Sequence, residues 1–172
     1  MLEALIFVVF PFCMVFAALS DMVSMTIANR VSLLLVGTFV VIAPLTGMAW
    51  PEFGWHLAAG GIVLAATFAL FATDTMGGGD AKLLAATAVW MGMSFELVQY
   101  IVFGAMIGGV LTFAILLYRA SPISDVTGGY MLLQKFADRR LGVPYGVALG
   151  IAGLIVFPQT SLVQWAIARA IS

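Results

Sequence analysis

The chain has 172 residues, 63% of them hydrophobic and 9% charged, with a formal net charge of −1. Soluble domains run near roughly 45–50% apolar and about 25% charged, so this composition excludes a water-soluble core and reads as a polytopic membrane protein. A near-neutral balance argues against a nucleic-acid partner, and the single Cys13 excludes a disulfide framework or a Cys-x-x-Cys metal site within the chain. The length is that of one domain, 1–172.

Leu2–Leu19 is apolar and long enough to cross a bilayer core. Its start, Met1-Leu2-Glu3, is acidic where a signal peptide is basic, and Ala17-Ala18-Leu19 is a poor cleavage site. It therefore reads as an uncleaved first transmembrane helix, kinked at Pro11. Ser20 to Arg30 is the first polar stretch. Val31–Met48 is a second span, interrupted near its end by Pro44, and Ala49-Trp50-Pro51-Glu52 is a turn with an interfacial Trp. Phe53–Thr73 is a third span, in which Gly60-Gly61 permits close helix contact.

Asp74 reads as a loop or capping residue, and Gly77-Gly78-Gly79-Asp80-Ala81-Lys82 follows it. The three glycines let the backbone turn sharply and let other groups come close. Ala81–Met93 is short for a full crossing, so it is either a span extended by its flanks or a helix partly buried in protein. Leu97–Tyr118 is a clear span with Gly104, Gly108 and Gly109 as a small-residue packing face. Arg119–Gly142 is the long polar loop, with an amphipathic interfacial helix expected over Tyr130–Arg140. The last span runs from Val143 to Phe157, where Pro158 breaks it, and Ser161–Ile171 is a tail or the rest of a bent helix.

Arg30, Lys82, Arg119, Lys135, Arg139 and Arg140 fall in alternate connections, while the others carry Glu52 and Glu96 and no Lys or Arg. The positive-inside rule then gives an all-α protein of about six spans, both termini outside, with Asp21 and Asp80 together on the cytoplasmic side. A carboxylate at membrane depth is costly and reads as functional by default. Two aspartates held close do not both ionise easily, so a pair shares a proton. The ionised member acts as base on a water while the protonated one polarises a carbonyl. That is peptide hydrolysis without a covalent intermediate. It needs no metal or other cofactor. The lone His56 lies on the opposite side, and no Gly-x-Ser-x-Gly motif is present.

Gly77-Gly78-Gly79-Asp80 with Ala81-Lys82-Leu83-Leu84 resembles the GxGD-x-K-L motif of the type IV prepilin peptidases, intramembrane aspartyl proteases. The stretch from Ser20-Asp21 to Ile27-Ala28-Asn29 resembles that family's S-D-x5-I-P-N segment, and Val143-Pro144-Tyr145-Gly146-Val147-Ala148 resembles its I-P-Y-G-x-A segment. The resemblance implies Asp21 and Asp80 as catalytic residues and Gly77, Gly78, Gly79, Lys82, Asn29, Pro144, Tyr145 and Gly146 as residues that shape the site. It implies a prepilin or pseudopilin substrate cleaved at the cytoplasmic membrane face, a multi-pass place in the bacterial inner membrane, and pilus or secretion assembly machinery as neighbours. Ala28 stands where the family has Pro, which predicts a looser turn. The cysteine-bearing segment that the family's methyltransferases carry is missing here, which makes the chain similar to the short CpaA-like or TadV-like peptidases of Flp pili, without methyl transfer.

Other readings compete. The glycine run alone fits a packing turn, Asp21 alone fits a helix terminus at the interface, and Lys82 fits a side chain snorkelling to the cytoplasm. A small transporter or channel also places carboxylates in glycine-broken helices. A non-catalytic assembly subunit keeps the spans without needing both aspartates.

Overall fold

The computed structural model describes residues 2–122, 135–138 and 142–171. Among them every regular element is helical: α1 (Leu2–Ser24), α2 (Asn29–Leu45), α3 (Trp50–Ala72), α4 (Gly78–Met91), α5 (Phe95–Ala120), α6 (Tyr145–Val156) and α7 (Ser161–Ile171). The amphipathic helix expected over Tyr130–Arg140 falls largely outside the described residues, as do Asp125, Arg139 and Arg140.

Length and apolarity separate these helices. Only α1, α3 and α5 are long and apolar enough to cross a membrane on their own. A fourth crossing is available if α6 and α7 count as one span, bent by 49° where Pro158 interrupts the ladder. The count of six spans is therefore not met by helix length. α2 has 17 residues, and α4 has 14, a rise of about 21 Å against a hydrocarbon core of about 30 Å.

α4 is short because it is the centre of the bundle and not a lipid-facing span. Every residue from Ala85 to Met91 is buried, so the helix is enclosed on all sides, by α2, α3, α5 and α6. The outer helices instead present large side chains such as Val8, Phe12, Phe68, Val110 and Phe113 outward, as a bilayer requires. At the end of the bundle away from Asp80, Phe10, Phe39, Trp90 and Phe157 form a ring cluster. Phe10 stacks on Phe157 with centroids 4.2 Å apart, and Trp90 Nε1 donates to the Leu35 carbonyl at 2.9 Å.

Glycines set how closely the helices approach. A Cβ on Gly60 would overlap Val89 Cγ2 and stand 3.2 Å from the Ala85 carbonyl oxygen, which lets α3 lie against α4. Gly104 plays the same part against Leu149, and Gly108 against the ring of Tyr145. Gly61 and Gly109 face open space, so one glycine of each expected packing face makes no packing contact.

Gly60→Ala should lower stability by about 1–3 kcal/mol, the usual cost of overpacking, and adding Val89→Ala should recover part of that loss. Gly61→Ala should leave the thermal midpoint in detergent unchanged. Equal melting of the Gly60 and Gly61 variants would contradict this packing.

Candidate active site

The polar stretch after α1 folds into a compact corner. Ser24 is the last helical residue, Met25 takes φ 54°, and the chain then runs extended to Asn29, where α2 begins. Ser20 Oγ and Ser24 Oγ donate to the Thr26 carbonyl at 2.9 and 3.2 Å, which closes the corner. Ala28 takes φ −67° and ψ 134°, the backbone that Pro would lock, so its turn keeps the geometry of the expected Ile-Pro-Asn.

The corner drives Ile27 into the protein. A Cβ on Gly79 would lie 3.2 Å from Ile27 Cβ, and one on Gly146 would lie 2.6 Å from Ile27 Cδ1. One side chain thus wedges against the first turns of both α4 and α6, where glycine at 79 and 146 leaves it room.

That wedge fixes the carboxylates. Asp21, in the last turn of α1 and only 5% exposed, accepts the Gly146 N–H on Oδ2 at 2.7 Å. Gly146 is the second residue of α6, so Asp21 occupies that helix's N-terminus, where unpaired N–H groups and the helix dipole favour an anion. Asp80 sits in the first turn of α4 and folds back over Gly77, where a Cβ would be 2.9 Å from Asp80 Oδ2. Asp80 Oδ1 is buried without a hydrogen-bond partner among the described residues.

Asp21 and Asp80 line one cavity of about 740 Å³ and lie within electrostatic reach of each other. Gly77, Asp74, Gly142 and Tyr145 share its wall. Pro144 is buried and caps α6, which sets where Gly146 points. A Cβ on Gly78 would stand 3.2 Å from the Phe71 ring.

Two expected site residues stand elsewhere. Lys82 and Asn29 do not line this cavity; Lys82 Nζ donates to Asn29 Oδ1 at 2.9 Å, tying α4 to α2 along the border of a second cavity. The sharp turn expected at the glycines is also displaced. None of Gly77, Gly78 and Gly79 has positive φ; the left-handed residue is Asp74, at φ 54°. The glycines serve close approach. The Gly146 N–H was not foreseen as the partner of Asp21, because the two are 125 residues apart.

Residues 8–117 match the model of the type IV leader peptidase family, more than half of the chain. The chain belongs to the type IV leader peptidase family. The match contains Asp21, the glycine run and Asp80, whereas Val143–Ala148 lies beyond it. A prepilin leader peptidase/N-methyltransferase from Xanthomonas campestris pv. campestris is 33% identical over 84 residues, 49% of this chain and 23% of that protein. The chain thus matches about a quarter of the length of this curated relative. No solved structure matches.

For this member of the family, Gly146→Ala should be severe. The new methyl would stand 2.9 Å from Asp21 Oδ2 and collide with Ile27, and a misplacement near 1 Å costs about 10²-fold in rate. A membrane cleavage assay at equal enzyme levels checks this, with Gly109→Ala as the silent control. Equal activity of the two variants would show that the Asp21 position is immaterial.

Proposed function

We propose that the chain is an aspartic endopeptidase that removes leader peptides from Flp-type prepilins, with Asp21 and Asp80 as one catalytic pair. The observation that carries this is the shared cavity: one carboxylate is anchored by a backbone N–H and the other keeps a buried oxygen free. An unpaired buried oxygen costs free energy unless a water or substrate group meets it.

The chemistry follows from that asymmetry. A water between the carboxylates gives a proton to the ionised one, and its oxygen bonds to the scissile carbonyl carbon. The protonated carboxyl gives its proton to the carbonyl oxygen, forming a gem-diol. Collapse breaks the C–N bond: a gem-diol hydroxyl returns its proton to the ionised carboxylate while the leaving amine takes a proton from the protonated one, which restores the pair. Gly77 and Gly142 leave room on the cavity wall for an extended substrate strand.

Orientation enters the same reading. Asp21, Asp80, Arg30, Lys82 and Arg119 belong to one end of the bundle, and Glu52 and Glu96 to the other. This supports a cytoplasmic site in the inner membrane, external termini, and α2 and α4 as the remaining two of about six crossings within one domain, 1–172. α2 and α4 complete their crossings through flanking residues or protein walls.

Reconstituted in proteoliposomes with a purified Flp-type prepilin, the wild-type chain should release the leader. Asp21→Asn and Asp80→Asn should each lower the rate by about 10³-fold or more, as loss of a catalytic group does. Asp74→Asn should keep substantial activity although it lines the same cavity. Near wild-type cleavage by either Asn variant at 21 or 80, or ion flux without cleavage, would sink the reading.

A further inference from the structure

The second cavity lies between α2, α3 and α4, away from the carboxylates, and has a volume of about 450 Å³. It exists because α2 and α3 both pack on α4 and touch each other little. From Lys82 to Val89 it follows α4 over about 10 Å.

Its polar groups are all at one end. Asn29 and Ser32 come from the first turn of α2 and Lys82 from the second turn of α4. Lys82 is exposed there, and among the described residues no carboxylate pairs with it. Ser32 Oγ is buried with no hydrogen-bond partner. Beyond that end the wall is Gly61, Leu64, Val89 and their apolar neighbours, and Gly61 leaves open space where a side chain would stand.

We propose that this slot binds one acyl chain of an anionic glycerophospholipid, its phosphate held at Lys82, Asn29 and Ser32. Chemistry decides against an extended peptide, which would carry N–H and C=O groups along an apolar wall that has no partners for them. An acyl chain carries none, and basic pockets between helices on the cytoplasmic side recognise anionic headgroups. Asp80 lies two residues before Lys82, so a lipid held here would steady the helix start that carries it. The binding itself does not depend on the catalytic role given to Asp80.

The test is photolabelling of the full chain in nanodiscs of phosphatidylglycerol and phosphatidylcholine in equal parts, with a trace of either lipid carrying a photoactivatable acyl chain. Label should concentrate on Leu33–Val36 of α2 and Gly61–Leu64 of α3. Phosphatidylglycerol should label these segments about fivefold more than phosphatidylcholine, the preference that one basic side chain gives. Lys82→Gln should abolish the preference. Gly61→Leu, whose Cβ meets no atom within 4 Å, should fill the slot and lower labelling by both lipids. Label spread evenly over the outward faces of α1 and α5, or equal labelling by the two lipids in the unaltered chain, would overturn the proposal. Displacement of the label by prepilin would also overturn it, by making the slot a peptide site.

Discussion

The hydrogen bond from the Gly146 N–H to the Asp21 carboxylate joins the end of α1 to the start of α6. It is buried, and when Asp21 is ionised it is charge-assisted, a class of bond about twice as strong as a neutral one. It also puts a carboxylate at a helix N-terminus, where bilayer burial is most tolerable because the N–H groups there lack intrahelical partners. Without it, Asp21 would be a buried charge with no described partner, and α6 would begin with an unmatched donor.

That bond requires two glycines and one wedge. Ile27 occupies the space that side chains at 79 and 146 would need, so α4 and α6 both start against the same residue. The consequence for α4 is that Asp80 enters the cavity on the first turn of a helix enclosed by protein. A carboxylate on a lipid-facing helix would snorkel away from the reaction; one on the central helix is held by the packing of everything around it. The shortness of α4, which leaves it below a bilayer's thickness, and the placement of Asp80 are two results of the same central position.

The all-helical class was legible from composition, because no soluble core uses so much apolar sequence. That Asp21 and Asp80 would line one cavity was legible from motifs, since each follows an apolar run and heads a segment with a recognisable pattern. Hydropathy left α4 open between a span and a buried helix, because an enclosed helix and a lipid-facing one are equally apolar. The difference lies in what surrounds them, which hydropathy does not encode. The partner of Asp21 was illegible for a related reason: a backbone N–H carries no residue signature, and Gly146 reads locally as a helix start. Lys82 and Asn29 were expected at the site because the motifs contain them, and they line the neighbouring cavity instead. Helical geometry turns Lys82 onto a different face of α4 from Asp80, two residues away, toward α2.

The central claim is that Asp21 and Asp80 work as one unit on one water. It is tested most directly by comparing the double variant Asp21→Asn/Asp80→Asn with each single variant, under single-turnover conditions long enough to read residual cleavage. Groups acting as a unit are non-additive, so the double variant should be scarcely slower than either single. A loss in the double variant equal to the product of the two single losses would mean that the carboxylates act independently, and would contradict the shared site.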